Sequence, residues 1–344
     1  MNLSKKQKNK SAFKSFFKNQ TFIDCTLSIL VFGIMILILT NPQKYTSGTI
    51  SGLTLFFTAV LPGLFPFMFL TKLLTEIGFV FKASEKCNGF TQKVFGTPGI
   101  SLYAFLMSIL SGYPIGAKII SDLHEKNLIS NSDAKKMSVF CTTSGPIFVI
   151  GTVGVFMFKS FTFGIILYVS HILSSFLLGV IYNLITKNKL STTQTQKTIS
   201  VPQKNKNIIA DCLTQTVSSL FVVGAYITMF YLIAEIFESL QIFSMVQSLL
   251  LPALKKLGGS GDYLQGMLYG FLEVTRGTQS LSFFGTRASV ILTAGVLSFS
   301  GLSIIMQSMA FLKPAGIKTP HFILFKIIHS LLAMAVCFVL MLLI

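Results

Sequence analysis

Seven stretches of this 344-residue chain contain no Asp, Glu, Lys or Arg: 45–71, 94–117, 137–158, 160–186, 212–234, 288–312 and 327–344. An uncharged apolar run of about 18 residues is already long enough to propose a membrane-crossing helix. Only 11% of the residues are charged, against 52% hydrophobic, where a soluble domain carries roughly a quarter charged. Seven such runs cannot all be interior helices of a water-soluble core. The sequence therefore predicts an all-α, polytopic membrane protein in contact with the lipid bilayer through most of its length.

The formal charge of +17 comes from 28 basic residues, only two of them Arg (Arg276 and Arg287). Lys is a poor reader of base edges beside Arg, so nucleic acid is not the expected partner; basic residues also mark cytoplasmic loops. The cysteines Cys25, Cys87, Cys141, Cys212 and Cys337 are scattered, with no CxxC spacing. That pattern indicates neither a disulfide framework nor a metal site, and no cofactor is expected. No HExxH or GxSxG motif is present, so nothing supports an enzyme.

Met1–Lys18 holds six Lys and no acid. The apolar run Ile29–Thr40 that follows ends without a small-x-small cleavage site, which reads as an uncleaved first helix over 22–44 behind a basic tail, 1–21. Further helices are expected at about 48–72, 134–158, 162–186, 209–238, 288–311 and 322–344. Two regions read differently. In 99–129 a twelve-residue apolar arm, Ile100–Ser111, is stopped by Ser111-Gly112-Tyr113-Pro114 before a second short arm. In 263–287 two ten-residue arms flank Glu273-Val274-Thr275-Arg276. Arms this short with a break read as re-entrant hairpins.

With the N-terminus cytoplasmic, this layout puts 21 Lys inside and four outside, as the positive-inside rule requires. The stretch 187–206 is then a cytoplasmic linker between two halves, 45–186 and 207–344. Each half has a helix, a hairpin, an interrupted helix and a helix. Each crosses three times, so the second enters from the opposite side as an inverted repeat. The interruptions are Cys141-Thr142-Thr143-Ser144-Gly145-Pro146 and Ser298-Phe299-Ser300-Gly301-Leu302-Ser303. Backbone groups freed at such breaks must be buried in protein or line a wet cavity, and half-helix ends there can bind a polar solute. Any single break also suits close packing or a kink.

The candidate site is therefore Ser111, Gly112, Tyr113, Pro114, Gly116, Thr142, Thr143, Ser144, Gly145, Pro146, Glu273, Arg276, Gly277, Ser298, Ser300 and Gly301. Glu273 and Arg276 can pair with one another as a lock or serve the solute. Lys118 and Asp122 read as interfacial, snorkelling residues. His171 and His329 read as packing histidines.

The stretch Ser111–Lys118, the turn Asp122–Lys126, the segment Phe140–Gly151 and Glu273–Gly277 resemble the sporulation integral membrane protein YlbJ family, of the nucleoside-recognition (Gate) domain group. The resemblance spans most of the chain. It implies two Gate-like repeats laid out as in concentrative nucleoside transporters, and a role in spore cortex formation. Two functions follow as expectations: a transporter-like protein handling a small polar or anionic solute, or a non-transporting scaffold that recruits sporulation membrane proteins. No substrate, coupling ion or oligomeric state can be read from the residues.

Overall fold

The computed structural model describes residues 24–186, 207–256 and 261–343, excepting the side chains of 59, 79–83 and 254. All regular structure among the described residues is helical. The basic tail and the linker 187–206 lie outside them. The chain divides into two units, Met1–Thr49 and Ile50–Ile344.

In the first unit, helix α1 (Asp24–Thr40) ends at Asn41, and Pro42 opens α2 (Pro42–Leu55). Proline lacks the N–H that α1 would need to continue, but suits the first turn of a new helix. The Asn41 side chain accepts from the Lys44 N–H at 3.4 Å, a weak cap for that turn. Leu27, Ile29, Leu30, Phe32, Ile36 and Leu39 are exposed, as lipid-facing side chains would be.

The second unit continues through a π-helical turn (Phe56–Val60) into α3 (Leu61–Ile77) and α4 (Phe79–Val94). Two short helices, α5 (Ile100–Ser111) and α6 (Ile115–Glu125), occupy the first expected hairpin. At 1.5 Å per residue, each is about 18 Å long or less, against a hydrocarbon core of about 30 Å. Helix α7 (Asn131–Phe140) starts with a capping box, Ser130 with Asp133. It breaks at 141–146 and resumes as a π-helical segment, Ile147–Met157. Helix α8 is Phe161–Thr186.

Past the linker come α9 (Ile208–Ser239) and α10 (Ile242–Lys256). The second expected hairpin is α11 (Leu264–Leu272) and α12 (Val274–Ser282), joined at Glu273 alone. Its tip is tighter than the four-residue Glu273–Arg276 turn expected, because the Glu273 carboxylate itself starts α12. Helix α13 (Arg287–Phe299) begins at a Thr286–Ser289 capping box, and α14 (Gly301–Leu312) follows a break at Ser300. Helix α15 (Thr319–Leu342) closes the described chain. Among the described residues, four helices are long and apolar enough to cross a membrane: Phe161–Thr186, Ile208–Ser239, Arg287–Leu312 and Thr319–Leu342. A fifth is counted if the bent pair Asp24–Thr40 and Pro42–Thr58 is one span.

The packing order matters for the site. Helix α3 packs on α9, and α8 on α15. Helix α6 packs on α14, while α12 packs on the π-helical segment; α8 meets α13, and α15 meets α7. Apolar side chains gain nothing by leaving lipid for each other, so such contacts depend on close approach and small residues. Gly154 and Gly164 let the π-helical segment lie on α8, where an added Cβ at 154 would strike the Gly164 backbone. Gly179 makes room for the stacked Phe95 and Phe140 rings, 4.3 Å apart.

Candidate functional site

The first break begins where Gly145 precedes Pro146. Proline disfavours helical backbone in the residue before it and supplies no N–H, so the chain from 141 to 146 leaves the helix and frees its backbone groups. Inside a membrane each needs a partner. The Thr143 N–H donates to Ser108 Oγ at 2.9 Å, and the two hydroxyls also bond at 2.9 Å. The Ser144 N–H donates to His171 Nε2 at 2.8 Å. The Thr142 carbonyl accepts from Lys326 Nζ at 2.7 Å. Every one of these partners is a side chain brought by another helix.

The first hairpin tip seats against this break. Gly112 has φ 84°, a conformation glycine adopts freely, and a Cβ there would strike the Gly145 backbone. Gly116 lies so close to the Cys141 carbonyl that no larger residue fits unmoved. The Tyr113–Pro114 peptide is cis. The Tyr113 hydroxyl accepts from Lys326 Nζ at 3.0 Å. The Ser111 hydroxyl is buried and has no partner among the described residues.

Ser298 and Ser300 bring in the second break. Ser300 sits in the left-handed region, φ 78°, followed by Gly301 at φ 72°. Two such residues in succession stop α13 and restart α14. Gly301 packs on the second hairpin tip, beside the Gly270 and Leu272 carbonyls and the Val274 nitrogen. His171 Nδ1 lies 2.8 Å from Ser298 Oγ. Its Nε2 accepts a backbone N–H, so the ring is neutral and the proton is on Nδ1, donated to Ser298. His171 thus fastens one break to the other. His329 donates from Nε2 to the His171 carbonyl at 3.0 Å, with the rings 4.8 Å apart. Both histidines are fully buried and act as packing cross-links, as the sequence suggested.

Lys326 is the residue the sequence reading missed. The positive-inside layout places it with the 21 inside lysines, in 313–326, yet it lies on α15 and is 3% exposed. Lys72 and Lys136, counted the same way, are also buried; Lys136 donates to the Gly96 carbonyl at 2.8 Å. Among the described residues, no carboxylate lies within 4 Å of Lys326. Its ammonium has Tyr113, the Thr142 carbonyl and the Tyr113 ring face, 4.4 Å away. The available signal was periodicity: Phe322, Lys326, His329, Ala333, Cys337 and Met341 form one buried helical stripe.

Glu273 and Arg276 serve other ends. The Glu273 carboxylate accepts the N–H groups of Thr275 (3.0 Å) and Arg276 (2.9 Å), capping α12. The Arg276 guanidinium turns to α9 instead, 3.3 Å from Glu238 and 3.5 Å from Glu235. Gly277 allows α12 to lie against Gly270 of α11. The snorkelling expectation for Lys118 and Asp122 is also corrected. Asp122 is buried and is shared by Lys118 (2.8 Å) and Lys72 of α3 (3.0 Å).

Helices with apolar exteriors, enclosing two satisfied backbone breaks and a buried cation, define an integral, multi-pass α-helical membrane protein with a polar interior. Over 315 residues the chain is 25% identical to Sporulation integral membrane protein YlbJ of Bacillus subtilis (strain 168), an alignment covering 86% of this chain and 77% of that protein. That likeness supports the resemblance to the YlbJ family read from the sequence. No protein-family model matches it, and no solved structure does.

Proposed function

We propose that this chain is a transporter-like sporulation membrane protein that handles a small polar solute and supports spore cortex formation. The observation that carries the reading is the meeting of the first hairpin tip and both helix breaks around His171 and Lys326. A buried ammonium with no carboxylate beside it can take a negative or acceptor group of a solute, and intramembrane charge is costly enough to be kept for function. The unpartnered Ser111 hydroxyl supplies a further hydrogen-bonding group at the same tip. Glu273 and Arg276 fall outside the site in this reading.

The reading includes seven crossings, two re-entrant hairpins and an inverted repeat with the N-terminus cytoplasmic. Its support is the reciprocity of the packing. If α3, α6, α7, the π-helical segment and α8 correspond to α9, α12, α13, α14 and α15, then several pairings have a counterpart. Helix α6 on α14 answers α12 on the π-helical segment, and α8 on α13 answers α15 on α7. Rocking of one repeat against the other around a shared site is how such folds alternate access.

The test is a thermal-shift screen of the purified protein with nucleosides and small organic anions, followed by uptake of any radiolabelled hit into proteoliposomes. The expected result is a stabilising solute whose uptake is lost in Lys326→Met. Undiminished uptake by that variant would sink the site; a screen without any stabilising solute would sink the transport reading.

A further inference from the structure

A second polar region lies apart from the His171–Lys326 knot. A narrow cleft of about 20 Å³ lies between α3, α6 and α9. Along it runs a chain of alternating charges: Lys118 to Asp122 (2.8 Å), Asp122 to Lys72 (3.0 Å), Lys72 to Glu76 (3.6 Å) and Glu76 to Lys126 (2.6 Å). Lys72 and Glu76 are on α3; Lys118 and Asp122 are on α6, and Lys126 caps its C-terminus. Two of the four links therefore tie α3 to the second arm of the first hairpin.

The opposite wall belongs to α9 and is also polar. Thr216, 3% exposed, lines the cleft with a hydroxyl that has no hydrogen-bond partner among the described residues. Ser219 lies one turn further on. A polar wall among membrane-crossing helices is tolerated where it lines a water-filled space. The unpartnered Thr216 hydroxyl has its partner only when water enters. The cleft thus has the chemistry of a wetted passage in a state where it is shut.

We propose that the Lys118–Asp122–Lys72–Glu76–Lys126 chain is an ionic latch that holds the first hairpin against α3 and closes this cleft. An ionic seal suits reversible opening better than an apolar one. Exposing apolar surface to water costs free energy in proportion to its area. Parted ion pairs regain hydration, which offsets much of the attraction lost. Two arrangements of such a seal can lie close in free energy, as a two-state element requires. The purpose of the latch rests on the transport reading, but its opening can be measured without any solute.

The experiment uses full-length protein in nanodiscs, with Cys25, Cys87 and Cys212 replaced by serine and Thr216→Cys introduced. A small charged thiol reagent reports opening, and mass spectrometry reads the site of labelling. Labelling of a transiently opened site follows the population of its open form, so Asp122→Asn is expected to speed labelling at position 216 by about tenfold or more. Glu76→Gln, which cuts the outer part of the chain, should give a smaller increase; Lys72→Arg should stay near the parent rate. The buried Cys141 and Cys337 report general unfolding and are expected to stay unlabelled throughout. If Asp122→Asn labels these as well, Glu76→Gln carries the test. Unchanged labelling at 216 in the folded variants would overturn the latch and leave the solute site untouched.

Discussion

The two helix hairpins look alike in outline and differ in what holds them. The first, α5–α6, is tied to other parts of the chain. Its tip contacts the first break, its Tyr113 joins α15, and its second arm pairs with α3. The second, α11–α12, packs on α13, α14 and the π-helical segment, but its polar tip is satisfied from within: its own Glu273 caps α12, and Gly277 and Gly270 bring its arms together. Its long-range ion pairs among the described residues run from Arg276 to Glu235 and Glu238 near the end of α9 and are partly exposed. The same short-helix topology thus gives a polar junction in the first hairpin and a tip capped by its own carboxylate in the second. Length and Gly/Pro content decide that a hairpin forms. The side chains that reach across from other helices decide what it does.

Substitutions that weaken one hairpin's support and spare the other sharpen this contrast. The largest expected loss is from His171→Leu. It orphans the Ser144 N–H and the Ser298 hydroxyl, both buried. Each orphan costs about 1–3 kcal/mol, so a loss of roughly 3 kcal/mol or more is expected in denaturant unfolding in detergent. A change below about 1 kcal/mol would mean that the two breaks do not depend on this staple.

Next come Gly116→Ala and Gly277→Ala, where the new methyl group meets backbone at the Cys141 carbonyl and at Gly270. Overpacking of this kind costs about 1–3 kcal/mol. Gly151→Ala, with open space around it, is the control and should leave the melting temperature nearly unchanged. If the first hairpin is the better anchored, Gly116→Ala should disturb the Thr142–Lys326 junction as well and so weaken any solute response. Gly277→Ala should lower stability alone.

The smallest effects belong to the second hairpin's charges. Glu273→Ala removes a helix cap and is expected to cost about 1 kcal/mol. Arg276→Ala breaks partly exposed pairs and should cost less than about 1 kcal/mol. Reversal of that order in unfolding experiments would make Arg276 the true anchor of α12 and undo the description of this tip as satisfied from within.

Much of the outline was legible in the residues. The uncharged runs marked the long helices, Ser111–Pro114 marked the first tip to the residue, and Gly145-Pro146 and Ser300-Gly301 marked the breaks, because these residues act on the backbone they occupy. Composition and local sterics were sufficient there. The partners of the breaks were not legible in the same way. Lys326 looked like one more loop lysine, Lys72 and Asp122 lay fifty positions apart, and the expected Glu273–Arg276 pair gave way to a helix cap and a bridge to α9. A lysine's charge and a histidine's two nitrogens are the same in any sequence. Their roles depend on which orphaned carbonyl or N–H lies within about 3 Å of them, and only the packing of α8 and α15 against the broken helices decides that.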